Sequence, residues 1–292
     1  MRQRASYVAR AINYFGKLRL QANGHRPAIG LVVVGRNDDY TPDFAERLRA
    51  TIDWHIRHLV SEVVFVEWNP PADRALLSPE LAKKFSCLRA YVVPAETHQT
   101  LVSNARVPLL EFHAKNVGLR RARSEWVITT NADAVFGMDT IYRILHAPLS
   151  ENVAWTAQRI EVPCRQGPAR VALLDFLRYE RINPYSKFGT GEFHLASRRL
   201  WEQVRGYDEA LTGHRWHCDT RGIAQMLAHG AEINRAGVVL HYAHPTSSST
   251  GPLPHHGDAA TLDGLPYLNA DNWGMSDCRE SEIAERVWRL ER

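Results

Sequence analysis

The sequence predicts an α/β protein built on a doubly wound, mostly parallel sheet. Three observations point there. Short β-branched runs alternate with amphipathic stretches of helical period between residues 28 and 136, the pattern of strands joined by crossover helices. The first run, Ala28-Ile-Gly-Leu-Val-Val-Val-Gly35, is apolar throughout, as a strand covered on both faces must be. Trp126-Val-Ile-Thr-Thr130 is equally suited to a central strand and is followed at once by Asn131-Ala-Asp133. Two oxygen-bearing side chains two residues apart leave a strand on one side, and the carboxyl edge is where open α/β sheets bind ligands.

With 292 residues the chain can hold one large or two ordinary domains, and 45% hydrophobic composition is enough for a sizeable core. The formal charge of +4 suits a diphosphate substrate or an anionic surface and falls well short of a nucleic-acid signature. Cys87, Cys164, Cys218 and Cys278 are scattered with no C-x-x-C pair, which argues against a zinc ribbon or a disulfide framework and for a reducing compartment. No apolar run approaches the ~20 residues that span a bilayer, and Arg2, Arg4 and Arg10 interrupt any signal-peptide stretch, so a cytoplasmic location is expected.

The elements follow in order. Residues 4–21 place Val8, Ala11, Ile12, Phe15 and Leu18 on one helical face with basic residues elsewhere, which fits a helix packed on the domain or on a partner, or one resting at a membrane surface. A helix over 43–59 and a strand over 62–67 come after the first strand, and Trp68-Asn-Pro-Pro71 breaks the chain. A third strand covers 88–93. Between 111 and 122, Ala114, Val117, Gly118 and Ala122 form a small-residue helical face that packs on something flat, leaving Lys115, Arg120, Arg121 and Arg123 for solvent. Beyond Asp133 the expectations are a strand over 152–162, a helix over 169–179, a loop over 181–191, an edge strand over 237–242 and a long polar loop over 246–277. Ile283, Val287 and Leu290 share a helical face, so 278–292 is expected to be a charged C-terminal helix. The boundaries are thus an N-terminal helix over 1–25, a domain over 26–277 divided at 136/137, and the terminal helix.

Several of these motifs resemble one family. Ala114-Lys115-Asn116-x-Gly118-x-x-x-Ala122-x-x-Glu125, a strand, then Asn131-Ala-Asp133, is similar to the core of the nucleotide-sugar glycosyltransferases of GT-A fold, most like the family-2 inverting type, with Asn131 standing where the family has the first Asp of Asp-x-Asp. Gly191-Glu-Phe-His-Leu-Ala-Ser197 leading to Arg205-Gly206-Tyr207-Asp208-Glu209, and Cys218-Asp219 ahead of Gly230-Ala-Glu-Ile233, resemble two later motifs of that family. The resemblance implies a single GT-A domain moving a sugar, hexosyltransferase-like, from a nucleotide-diphosphate sugar to a hydroxyl of a carbohydrate or glycoconjugate acceptor.

On the same basis Asn37, Asp38, Glu67, Lys115, Asn116, Asn131 and Asp133 are expected at the nucleotide-sugar site. Asp133 with His241 or His244 is expected to hold Mg²⁺ or Mn²⁺. Asp219 is the expected general base, with Asp208 its rival through a register error. Glu192 is expected on the acceptor side. Trp273, in the long polar loop that would serve as a lid, either stacks on a sugar face or is buried in the core. His255 and His256 are weaker metal candidates. Two other readings stand beside this one. A non-catalytic sugar- or nucleotide-binding module of the same fold is compatible with Asn131 and Cys218, which depart from the family pattern. A zinc hydrolase built on the histidines lacks any H-E-x-x-H spacing.

Overall fold

The computed structural model describes residues 27–38, 40–41, 43–163, 190–213, 218–243 and 264–292. The expected N-terminal helix, the helix over 169–179, most of the 181–191 loop, His244, His255 and His256 lie outside the described residues.

The first half alternates as the sequence dictates. β1 (Ile29–Gly35), β2 (Glu62–Trp68), β3 (Leu88–Val93) and β4 (Trp126–Asn131) are separated by α1 (Phe44–His58), α2 (Ser78–Lys84), α3 (Ala95–Leu101) and α4 (Glu111–Arg121). All four strands run parallel in the order β3-β2-β1-β4, so the chain winds outward from β1 to β3 and then returns to β1's other side. The second half adds β5 (Ala134–Phe136), α5 (Met138–His146), β6 (Val153–Pro163), β7 (His194–Ser197), α6 (Arg198–Val204), α7 (Cys218–Ala228) and β8 (Glu232–Ala243). β7 pairs antiparallel with β4 and β6, while β6 and β8 are parallel.

Each face of the sheet carries its own apolar core. Leu31, Val33, Phe65 and Ile128 pack beneath α1 residues Phe44, Leu48 and Ile52, whereas Val32, Val34, Val64 and Val127 face α4. This two-sided covering is why β1 shows no polar alternation. Gly118 explains how closely α4 lies on the sheet: a Cβ there would stand 2.3 Å from Val32 Cγ1.

Three expectations about elements are corrected. Lys115 is fully buried, and Arg121 caps the C-terminal segment by donating to the Gly274 and Met275 carbonyls at 2.7 and 3.0 Å. β8 is not an edge strand; it lies between β5 and β6, with β5 holding the outer position. The C-terminal segment is a hairpin, β9 (Arg279–Ala284) and β10 (Val287–Glu291), and β10 extends the sheet by pairing parallel with β3. Val287 and Leu290 face different cores from opposite faces of β10, so a strand buried on both sides imitated the spacing of a helical stripe. Among the described residues no helix is long and apolar enough to cross a membrane.

Candidate functional site at the switch point

β1 and β4 are neighbours whose connections leave in opposite directions, a switch point of the kind at whose carboxyl ends open α/β sheets bind ligands. Val34 is level with Asn131, so the loop after β1 and the Asn131-Ala-Asp133 tip share one rim. The two are tied directly. Tyr40 donates its hydroxyl to Asp133 Oδ2 at 3.1 Å, and its backbone N–H donates to Asp38 Oδ1 at 3.3 Å. Burial first, then the Asp133 charge, hold the Tyr40 phenol well above its usual range, so it remains a donor. Asp38 pairs with Arg36 at 2.5 Å, and Arg36 also donates to the Asn69 carbonyl. Asn37 donates to the Ala75 carbonyl, anchoring the loop that follows β2.

β5 and β8 fix what meets Asp133 on the other side. Antiparallel pairing sets Ala134 opposite His241 and brings the Tyr242 N–H to the Asp133 carbonyl. His241 Nε2 then lies 3.3 Å from Asp133 Oδ2, while its Nδ1 lies 3.0 Å from Glu161 Oε2 on the neighbouring strand β6. Burial alone would lower the imidazole, but the hydrogen bond and charge of Asp133 outweigh it and raise its pKa. Glu161 accepts in turn from Arg159, and Arg159 pairs with the buried carboxylate of Glu192 at 2.7 Å.

Gly191-Glu192 is the junction of the site. The Gly191 N–H donates to Asp219 Oδ2 at 2.9 Å, and the Gly191 carbonyl accepts from Lys115 Nζ at 2.8 Å. Lys115 also reaches Asn131 Oδ1 at 2.8 Å and Glu111 at 2.6 Å. A connected set of polar contacts therefore runs from Asp38 through Tyr40, Asp133, His241, Glu161, Arg159 and the junction to Asp219. Asp219 sits in the first turn of α7, whose N–H at Thr220 favours the anion. Burial is the larger effect, reinforced by Glu192 and Glu111, and the Asp219 carboxyl is raised rather than lowered.

Of the residues expected at the site, Asn37, Asp38, Lys115, Asn131, Asp133, Glu192, Asp219 and His241 are brought into this rim and network. Three are placed elsewhere. Glu67 is fully buried and accepts from the N–H groups of Leu77 and Ser78 and from the Ser78 hydroxyl, fastening the start of α2 instead of facing a ligand. Asn116 grips the turn at 206–209: its amide donates to the Tyr207 carbonyl and its oxygen accepts the Tyr207 N–H. That turn needs Gly206, whose φ is +69° and whose absent Cβ would meet Asn116 Oδ1 at 2.2 Å. Trp273 is buried beside this turn with the Arg120 guanidinium 5.1 Å from its ring centre, so it is a core residue with no open face for a sugar. Asp208 accepts from Ala210 N–H and Arg221, the turn role that its position in the sequence suggests.

Sequence reasoning missed Tyr40, Arg159 and Glu161. Arg159 and Glu161 carry a faint signal, since two opposite charges at i and i+2 share one face of β6. Only the β6/β8 register, which sets Glu161 beside His241, gives them meaning.

The donor set fits a divalent cation in part. A carboxylate oxygen and an imidazole nitrogen converge at Asp133 and His241, and Mg²⁺ or Mn²⁺ commonly takes one or two protein donors and completes its shell with phosphate oxygens and water. Among the described residues no group of three His, Cys, Asp or Glu forms a self-sufficient metal cage.

No family model matches the chain, and no curated protein matches its sequence. Solved structures do. The chain is similar to the mannosyltransferase PcManGT from Pyrobaculum calidifontis, in complex with GDP-Man and Mn²⁺, at 18% identity and a TM-score of 0.48, covering 82% of this chain and 66% of that one. It is similar to S. aureus TarS at 14% identity and a TM-score of 0.47, covering 75% of this chain and 37% of that one. A third likeness is to glucosyl-3-phosphoglycerate synthase from Mycobacterium tuberculosis, in complex with Mn²⁺, uridine diphosphate and phosphoglyceric acid, at 16% identity and a TM-score of 0.47, covering 86% and 83%. None of these scores reaches 0.5, and the site is read from its own residues.

Proposed function

We propose that the protein is a glycosyltransferase that moves a sugar from a nucleotide-diphosphate donor to an acceptor hydroxyl, with inversion and with a divalent cation. One observation carries the reading: the strand-tip carboxylate Asp133 and the helix-opening carboxylate Asp219 belong to one polar network at the switch-point rim. Direct displacement needs two such ends, one to hold the diphosphate and one to take a proton.

Asp133 and His241 are the residues that would hold Mg²⁺ or Mn²⁺, whose positive charge favours diphosphate departure. Asp219 takes the acceptor hydroxyl proton as the acceptor oxygen bonds to the anomeric carbon. The bond from that carbon to the diphosphate oxygen breaks, and the nucleoside diphosphate leaves with the electron pair. A carboxyl raised by burial, as Asp219 is, has the greater basicity that such a role asks for. Lys115 fixes the relation between the two ends, because its ammonium bridges the Asn131 side chain and the Gly191 carbonyl.

A panel of nucleotide-diphosphate sugars tested by thermal shift, with and without Mn²⁺, examines this reading. At least one sugar nucleotide is expected to raise the melting temperature in a Mn²⁺-dependent manner. Stabilisation by Zn²⁺ alone, with no response to any sugar nucleotide, contradicts it.

A further inference from the structure

His241 stands between two carboxylates, and only one arrangement of its protons lets a neutral ring serve the cation site. A carboxylate has no proton to give, so the 3.0 Å contact between His241 Nδ1 and Glu161 Oε2 requires Nδ1 to donate. A neutral imidazole has a single N–H, which leaves a lone pair on Nε2. In the metal-free chain Nε2 lies 3.3 Å from Asp133 Oδ2 and shares a proton with it, and a cation held by both atoms would take that proton's place.

We propose that Glu161 is a positioning residue: by accepting the Nδ1 proton it fixes the His241 tautomer and ring orientation that make Asp133 and His241 a joint cation site. The proposal rests on reading those two residues as the cation pair and adds the group that sets one of them. Its placement is built into rigid elements. The parallel register of β6 and β8 makes Glu161 and His241 direct partners, so their side chains leave the sheet on one face. Arg159, two residues earlier on the same strand, bonds Glu161 on one side and Glu192 on the other, so Glu161 is held against swinging into solvent despite a half-exposed carboxylate. The Arg159 contact also ties the orientation of His241 to the junction that positions Asp219.

The test uses the full-length chain with Mn²⁺ and inorganic pyrophosphate, which supplies diphosphate oxygens without committing to a nucleobase. Electron paramagnetic resonance reads Mn²⁺ affinity, and nitrogen modulation of the Mn²⁺ spin echo reads imidazole coordination. The unmodified protein is expected to show the nitrogen signal. Glu161→Ala is expected to weaken Mn²⁺ binding by about 10–100-fold and to diminish the nitrogen signal, while the metal-free protein remains folded by circular dichroism. Glu161→Gln keeps a neutral acceptor for Nδ1–H and is expected to retain the nitrogen signal with a smaller loss of affinity. Equal affinity and nitrogen signal in Glu161→Ala overturn the proposal. So does weaker binding with the nitrogen signal intact, which makes Glu161 a distant charge and nothing more. No nitrogen signal in the unmodified protein overturns the reading of His241 as a ligand, and the proposal with it.

Discussion

Lys115 carries its charge where no water reaches it. An unpaired ammonium at such a position is costly, and Glu111, Asn131 and the Gly191 carbonyl together satisfy its three N–H donors. Replacing it takes the Lys115 donor from the buried Gly191 carbonyl and the half-buried Asn131 side chain, while Glu111, about a third exposed, regains water. Lys115→Met is therefore expected to destabilise the fold by about 3 kcal/mol, read as a shift in the urea unfolding midpoint. A change below ~0.5 kcal/mol contradicts the bridging role. The helical period of α4 was legible in the sequence, and this residue's burial was not. A lysine between an alanine and an asparagine has the local pattern of a solvated face, and its partners at 131 and 191 are distant in the chain.

α4 is the element on which the parallel half of the sheet is assembled. Its small-residue face was readable from spacing alone, and Gly118 shows what the spacing is for. Gly118→Ala forces a Cβ into Val32 and must lift the helix from β1, an overpacking expected to cost about 1–3 kcal/mol. Chemical denaturation measures it, and an unchanged midpoint contradicts the close approach. The strands of this half were equally legible, since continuous β-branched runs have few alternative readings. β10 was not, because Val287 and Leu290 each meet a different core and remove the period-2 signature. Glu67 illustrates the matching difficulty at the site. A carboxylate ending a strand looks the same in sequence whether it faces a ligand or fastens the helix that follows, and here it does the latter.

Across the whole molecule, buried histidines link stability to acid. His55 and His194 are both held neutral by burial, with pKa values lowered from 6.5 to about 3. The unfolded chain takes up these protons below about pH 6.5 and the folded one does not until about pH 3, so stability is full above that upper value and falls as pH decreases through the window. Each histidine is expected to remove about 1.4 kcal/mol per pH unit within it. Denaturation at pH 7.5 and 5.5 measures this, and His55→Gln is expected to flatten the dependence; equal slopes contradict the assignment. The division of labour in the site is also a property of the whole sheet. In the proposed mechanism the β1/β4 rim and β8 would hold the cation end and α7 would supply the base through the Gly191-Glu192 junction, so donor binding and turnover are expected to be separable. The most direct test is Asp219→Asn, measured both by calorimetry with the sugar nucleotide and by steady-state turnover. The account predicts unchanged donor affinity with turnover reduced by about 10²–10⁴-fold; normal turnover contradicts it.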